Sequence, residues 1–103
     1  MLDNQKIRRE TMRWNILGAL NLGRPIACYG ELILATVRAI FHDATEKELL
    51  SELEYLASRD LIKLTKQPTG RYFAELTRWG VDVVEYTVDC EAGIGRPEKY
   101  WAG

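Results

Sequence analysis

The sequence is poor in the residues that build metal sites and disulfide frameworks. Its 103 residues include two cysteines, Cys28 and Cys90, and one histidine, His42. The cysteines are far apart and neither belongs to a C-x-x-C pair, so we expect two reduced thiols and no zinc site. The carboxylate nearest to His42 is the adjacent Asp43, a spacing that does not support a catalytic dyad. No nucleophile, base and orienting group can be assembled, so we expect neither an enzyme nor a cofactor.

Long apolar runs are also lacking. Stretches such as Ile33-Leu34-Ala35 end within a few positions, far short of the roughly 20 residues that cross a bilayer. Charges within residues 3–10 interrupt the region where a secretory signal needs continuous apolar residues. We therefore expect a cytoplasmic protein with no membrane partner. With 47% hydrophobic and 28% charged residues, the composition is that of one ordinary domain.

The net charge of −1 is unevenly distributed along the chain. Residues 1–13 carry a local charge of +2, and residues 63–78 carry +3. Residues 45–60 carry −3, and residues 82–91 carry −4. Positive charge is therefore concentrated in two segments, which are the first places to look for contacts with a polyanion.

Two amphipathic helices are predicted in the first 41 residues. Apolar residues recur at helical spacing over residues 3–22, with the arginines mostly on other faces, and Gly23-Arg24-Pro25 ends this helix. A second helix is predicted over residues 29–41. Its predicted inward residues are Leu32, Ile33, Thr36, Val37, Ile40 and Phe41.

A third helix is predicted after the short turn His42-Asp43-Ala44. It begins at the capping box Thr45-Glu46-Lys47-Glu48, in which the threonine hydroxyl and the Glu48 carboxylate satisfy free backbone N–H groups, and it ends near Arg59-Asp60. The predicted buried face consists of Leu49, Leu50, Leu53, Leu56 and Ala57. The predicted exposed face consists of Glu46, Lys47, Glu48, Ser51, Glu52, Glu54, Tyr55 and Ser58.

The pattern then changes to the two-residue period of β-strands. Strands are predicted over residues 61–66 and 71–76, joined by the turn Gln67-Pro68-Thr69-Gly70. Thr77 is predicted to cap a last helix over residues 78–88. Its predicted inward residues are Val83, Val84 and Thr87, with Gly80 allowing close approach to a neighbour.

The order of the elements predicts an α+β, mainly α, winged helix-turn-helix domain over residues 1–88. Residues 89–103 are predicted to be a tail, in which Gly93-Ile94-Gly95 is flexible. Trp14 and Trp79 are predicted core residues because they lie on apolar helix faces. Tyr100 and Trp101 are predicted to dock, either on their own domain or on a second subunit of a homodimer.

Two stretches of sequence resemble known winged-helix proteins. Leu56-Ala57-Ser58-Arg59-Asp60-Leu61-Ile62, followed by a hairpin and Leu76-Thr77-Arg78-Trp79-Gly80, is similar to the recognition-helix end, wing and Leu-Thr-x-x-Gly pattern of many bacterial winged-helix transcription regulators. Residues 80–86 and 93–101 resemble small winged-helix proteins of Mu-like phages and prophages. The resemblance implies a DNA-binding regulator whose partner is double-stranded DNA.

The predicted DNA contacts follow from the general fold, which places the third helix in the major groove. The groove-facing candidates are Lys47 and Ser51, and the phosphate-contacting candidates are Arg8, Arg9 and Arg13 on the first helix with Lys66, Thr69 and Arg71 at the wing. Roughly five such cations are sufficient for weak, salt-dependent attachment. The acidic third helix argues against tight binding, because its carboxylates are repelled by phosphates.

Explanations without DNA stay open for the same residues. Glu46 and Glu48 favour the helix dipole and the cap, and charges at Lys63, Lys66 and Arg71 protect the hairpin from pairing with other chains. The alternative function is a protein-interaction module without nucleic acid. In that hypothesis the acidic third helix and the aromatic tail bind a phage or host protein.

Overall fold

A computed structural model describes residues 3–99 of the chain. Within this range the elements follow in the order α1 (Asn4–Leu22), β1 (Cys28–Tyr29), α2 (Gly30–Arg38), α3 (Glu46–Ser58), β2 (Ile62–Lys66), β3 (Tyr72–Leu76) and α4 (Arg78–Val84). The predicted helices and hairpin are present in the predicted order. β1 is an additional strand.

The strands form one antiparallel sheet in the order β1-β3-β2. The hairpin pairs Ile62 with Leu76 and Lys66 with Tyr72, and its turn closes at Gly70, whose φ of 90° is the left-handed backbone that favours glycine. β1 adds two residues beside β3. Two residues are too few for a period-2 pattern, so the sequence could not reveal this strand.

The second helix is shorter than predicted. α2 ends at Arg38, and the amides of Ala39 and Ile40 donate to carbonyls three residues back, the tighter turns that commonly end a helix. At the other end, Tyr29 pairs with Phe73 in the sheet. The connection to α3 therefore spans residues 39–45, where the sequence predicted three residues.

The buried face of α2 is also narrower than predicted. Of the six predicted inward residues, Ile33 and Val37 are buried, Phe41 is half-buried, and Leu32, Thr36 and Ile40 are exposed. The broad apolar stripe of α2 in the sequence predicted that this helix packs against two neighbouring elements. α2 packs along one edge, and half of the stripe faces outward.

The core lies between α1, α3 and the inner face of the sheet. Leu49, Leu53 and Leu56 of α3 are completely buried, which confirms the centre of the predicted face. The other buried apolar residues are Met12, Ile16, Leu17, Leu20, Cys28, Ile33, Val37, Ala44, Leu61, Ile62, Tyr72, Ala74, Val83 and Ile94. This core fixes α3 with one face inward and one face exposed.

Threonine hydroxyls begin both α3 and α4 as predicted. Thr45 accepts a hydrogen bond from the Glu48 amide, and Thr77 accepts one from the Gly80 amide. A Cβ at Gly80 would collide with the Leu61 carbonyl oxygen, which confirms the predicted close approach. The start of α4 is therefore fixed against the start of the hairpin.

α4 is shorter than predicted and ends at Val84. Tyr86 has a φ of 61°, which is left-handed backbone that interrupts a helix. Of the predicted inward residues, Val83 is buried, Val84 is half-buried and Thr87 is exposed. Residues 81–88 contain no glycine or proline, so the sequence gives little warning of such a stop.

Residues 89–99 contain no helix or strand, but they pack on the domain. Ile94 is only 6% exposed and belongs to the core. The Gly95 amide donates to the Glu10 carbonyl oxygen at 2.9 Å, and Arg96 donates to two backbone carbonyls near α4 at 3.0 Å. The predicted flexibility of Gly93-Ile94-Gly95 is wrong, because these residues fill a gap beside α1. Tyr100 and Trp101 lie outside the described residues.

The two described tryptophans differ in burial. Trp14 is half-buried, with its ring edge-to-face to Tyr86 at a centroid distance of 6.0 Å. Trp79 is 47% exposed, so its predicted core position is wrong. In residues 3–99 no helix is long and apolar enough to cross a membrane.

Candidate nucleic-acid interface

The exposed side of α3 forms a stripe of four residues, Lys47, Ser51, Glu54 and Ser58, called the α3 stripe below. Their spacing of four, three and four residues places them on one face of the helix. That face is opposite the buried leucines, because the core holds the other side of α3. Both groove-facing residues predicted from the sequence, Lys47 and Ser51, lie on the stripe.

Glu52 does not share this exposure, although the sequence predicted that it would. It is 4% exposed, and its Oε1 accepts a hydrogen bond from Arg13 Nε of α1 at 2.7 Å. Arg13 also donates to the Gly93 carbonyl oxygen at 2.9 Å, and its guanidinium lies 3.6 Å from the Tyr55 ring centroid. These contacts use Arg13 to join α1, α3 and the tail. A helical period in one segment could not show that an arginine 39 residues away reaches Glu52.

Arg8 makes a second connection between α1 and α3. Its Nε and Nη2 donate to the two Glu48 carboxylate oxygens at 2.7 and 3.0 Å, and Nη2 also donates to Asp43 at 2.9 Å. The Arg8 hydrogen bonds lower the pKa of the Glu48 carboxyl and that of Asp43. Arg8 is therefore largely neutralised by carboxylates of its own chain.

The wing cation Lys66 contacts the α3 stripe directly. Its Nζ lies 2.7 Å from Glu54 Oε2, and both side chains are about half exposed. Thr69 is exposed in the turn, where its hydroxyl accepts a hydrogen bond from the Arg71 amide at 3.4 Å. The wing and α3 thus border the same surface.

Arg71 directly precedes β3, the other strand of the wing, and its side chain contacts the start of α2. Its Nε donates to Glu31 Oε1 at 2.7 Å, and its guanidinium stacks on Tyr29 with 3.7 Å to the ring centroid. The ring of Tyr29 packs edge-to-face on Phe73 at 5.5 Å. The sequence did not identify Tyr29 and Glu31 as partners of Arg71 because β1, which places them, was not predicted.

Two of the predicted DNA contacts are exposed cations without an ion pair in residues 3–99. These are Arg9 on α1 and Lys47 on the α3 stripe. Lys6, Lys63 and Arg78 share this property, though none was among the predicted site residues. Such side chains lose no internal partner when they contact an anion.

The paired cations border α3 on different sides. Arg8 is held at Glu48 and Lys66 at Glu54, positions that lie about 120° apart around the helix axis at 3.6 residues per turn. Arg71 is held at the start of α2. The predicted contacts are therefore held at three different places and do not form a single row.

Other features of the described residues are two free thiols and a groove beside the wing. No group of three or more His, Cys, Asp or Glu side chains in residues 3–99 could hold a metal ion. Cys28 is a buried free thiol, and burial raises the pKa of the free thiol Cys90. A groove between the start of α2, the start of α3 and the wing is lined by side chains of both charge signs, including Glu31, Arg38 and Arg71.

Comparisons with known proteins show a likeness to a solved structure. No family model matches the sequence, and a search of curated proteins gives no match. Among solved structures, the chain is similar to a PadR family transcription regulator from hypervirulent Clostridium difficile. The TM-score is 0.58, the sequence identity is 26%, and the match covers 74% of this chain and 81% of that chain.

This likeness confirms the predicted fold class. The chain has an α+β winged-helix fold, with four helices and a small antiparallel sheet within the described residues, of the kind found in that transcription regulator. α2 and α3 correspond to the helix-turn-helix, and the hairpin corresponds to the wing. Since the likeness is to a regulator, it gives no support to an enzymatic function.

Proposed function

We propose that this chain is a DNA-binding transcription regulator of a Mu-like phage or prophage. The α3 stripe enters the major groove, and cations of the wing and of α1 contact phosphates on both sides of it. The main support is the exposed α3 stripe within a fold similar to that of a PadR family transcription regulator. The phage origin rests on the resemblance of residues 80–86 and 93–101 described above.

The predicted contacts differ in how much of their charge is available to DNA, because some of these cations already pair with carboxylates of the chain. Lys47 and Arg9 are exposed without an ion pair in the described range, so they contact phosphate or bases at no cost to the fold. Lys66, Arg71 and Arg8 must share their charge with Glu54, Glu31 and Glu48. Binding to duplex DNA is then weak and steeply salt-dependent. Thr69 and Ser51 add neutral hydrogen bonds, and Arg13 contributes mainly through the position of α1.

Duplex binding across a salt series tests the proposal. Each phosphate contact contributes a slope of about −0.9 in log affinity against log salt concentration, so Arg9→Ala, at an exposed phosphate-contacting candidate, is expected to weaken binding and make the slope shallower by about one unit. The matched control is Arg24→Ala. Arg24 is a partly exposed arginine whose carboxylate partner, Glu85, lies just past α4, so its loss leaves affinity and slope unchanged. No detectable binding at about 50 mM salt, or equal effects of the two variants, contradicts the proposal.

The alternative, a protein-interaction module, is favoured by the neutralisation of wing and α1 cations by carboxylates. A partner with basic side chains would then bind Glu46 and Glu54 on the exposed part of α3. In this case Glu54→Lys abolishes capture of one defined partner while the protein binds no duplex. Removal of residues 100–103 tests the aromatic tail without disturbing Ile94. Retention of the partner by both variants contradicts the alternative.

A homodimer acting in the cytoplasm is part of the proposal, since two-fold pairs are the commonest assembly of small regulators. Sedimentation equilibrium measures the oligomeric state, at protein concentrations above and below the dissociation constant for duplex DNA. A monomer at every concentration, with one copy per duplex, contradicts the dimer and leaves DNA binding intact.

A further inference from the structure

Glu54 is a carboxylate on the surface where the proposed function places DNA. It lies on the α3 stripe between Ser51 and Ser58, and its side chain is 53% exposed. An unpaired carboxylate here would be repelled by phosphates on both sides of the groove. The Nζ of Lys66, at 2.7 Å from Glu54 Oε2, offsets that charge.

The stability of the fold does not explain this pair. Exposed ion pairs between flexible side chains contribute only about 0–1 kcal/mol, and both members are about half exposed. The capping and dipole explanations also fail for Glu54, because it lies more than two turns after the start of α3. The pair is better explained by what the Glu54 carboxylate presents to the outside.

The chemistry of a carboxylate limits which base edge it can recognise. An ionised carboxylate only accepts hydrogen bonds. In the major groove cytosine offers the N4 amino group as a donor, whereas adenine offers its donor beside the N7 acceptor, and guanine offers two acceptors. With Lys66 bound to Oε2, the second oxygen of Glu54 is available for a cytosine amino group.

We propose that Glu54 is a specificity-determining residue that selects cytosine in the major groove, with Lys66 as its positioning residue. This inference rests on the proposed function. Lys66 holds the Glu54 carboxylate toward the wing side of α3, and its remaining N–H groups face the adjacent phosphate. The acidic residue thus contributes sequence preference, and the wing lysine makes that contribution compatible with a polyanion.

The spacing of Lys47 and Glu54 along α3 predicts how many base pairs separate the bases that they contact. Lys47 and Glu54 are seven residues apart, about 10 Å along the axis at 1.5 Å per residue. At about 3.4 Å per base step, a helix lying along the groove separates their contacts by roughly three base pairs. Lys47 only donates, and it therefore favours guanine, which has two acceptors.

Selection from a randomised duplex pool tests the inference. The wild-type protein is expected to enrich sites with a fixed cytosine. In Glu54→Gln the preference at that position changes to adenine, because glutamine pairs with adenine N6 and N7, and other positions stay unchanged. Glu54→Ala is expected to lose the preference at that position. The wild-type protein is expected to bind the selected site roughly 5- to 150-fold more tightly than a site in which that cytosine is replaced. The control Glu85→Gln, the same chemical change beyond the end of α4, leaves all preferences unaltered.

A second arm tests the positioning role of Lys66. Lys66→Gln is expected to reduce discrimination at the cytosine position more than at any other, and Lys66→Arg restores it. A merely electrostatic Lys66 would lower affinity for every sequence equally. That result assigns specificity to Glu54 alone and overturns the positioning role.

The outcomes separate this inference from the proposed function. If the wild-type protein binds duplex but Glu54→Gln changes no base preference, the inference fails and the proposed function stands. If the protein binds no duplex at about 50 mM salt, both fail. A cytosine preference that changes in Glu85→Gln as well would also contradict the role of Glu54.

Discussion

Glu52 and Glu54 are two residues apart on α3 but have opposite roles. Glu52 is 4% exposed and bonds to Arg13 across the interface with α1, whereas Glu54 is half exposed and bonds to the wing. Loss of one member of a buried pair leaves the other charge uncompensated, which is far more costly than loss of an exposed pair. The two glutamates therefore form a matched test of which carboxylate the fold requires.

The expected result is a large difference between two isosteric variants. Glu52→Gln lowers the free energy of unfolding by about 3 kcal/mol, because the Arg13 guanidinium stays buried without its counter-charge. Glu54→Gln lowers it by less than about 1 kcal/mol. Urea denaturation at neutral pH measures both. Similar values for the two variants would contradict the buried role of Glu52. A loss of several kcal/mol in Glu54→Gln would mean that this variant cannot serve as a folded specificity variant.

Whole elements are connected by charges that the sequence pattern does not pair. Arg8 joins α1 to the first turn of α3 and to the preceding loop. Its hydrogen bonds lower the pKa of Glu48 from the ordinary value of 4.5 and that of Asp43 from 3.8. The folded protein therefore binds fewer protons than the unfolded chain at pH values below these ordinary values, and its stability rises with pH there.

The lowered pKa values of Glu48 and Asp43 predict how the effect of an Arg8 variant depends on pH. The contribution of the Arg8 contacts is complete above about pH 4.5 and is lost as the pH falls through the lowered pKa values of the folded state. Arg8→Gln is thus expected to destabilise the protein at about pH 6 and to have a smaller effect at about pH 2.5. Arg9→Gln, the exposed neighbour, shows no such change. Urea denaturation at the two pH values measures it, and a pH-independent effect of Arg8→Gln contradicts the assignment.

Local patterns predicted most elements because each has its own signal. The caps at Thr45 and Thr77 and the Gly70 turn depend on short-range hydrogen bonds and backbone geometry, so they were predicted correctly. β1, and with it the start of α2 at Gly30, depends on pairing with β3, more than 40 residues later. No local pattern encodes such contacts.

In the candidate site, too, the local features were predictable from the sequence and the long-range contacts were not. Lys47 and Ser51 were placed on the exposed face of α3 by helical period alone, and the structure has them there. The partners of Arg8, Arg13, Lys66 and Arg71 are carboxylates 12 to 40 residues away in sequence, so their neutralisation was not visible. Composition therefore predicted the charges of the surface but not how much of that charge is available to a ligand.

At the scale of the whole molecule, the domain extends beyond α4. Arg13 contacts the Gly93 carbonyl oxygen, Gly95 pairs with Glu10, and Arg96 bonds to carbonyls at Val83 and Val88. The segment from residue 91 to 97 thus connects α1 to the end of α4. Since the Arg13 contact also positions Glu52, the segment supports the orientation of α3 and hence of the α3 stripe.

Ile94 carries the apolar part of this connection, so its truncation should destabilise the entire domain. Ile94→Ala deletes buried carbon atoms and is expected to lower the free energy of unfolding by about 2–5 kcal/mol. Ile26→Ala makes the same change at a side chain that is 75% exposed, and it should stay within about 0.5 kcal/mol of the wild type. Thermal and urea denaturation of the full chain measure both. Small domains are stable by only about 5–15 kcal/mol, so Ile94→Ala also weakens duplex binding near the melting temperature, while binding at low temperature is retained. Equal stability of the two variants would show that residues 91–97 rest on the domain without supporting it.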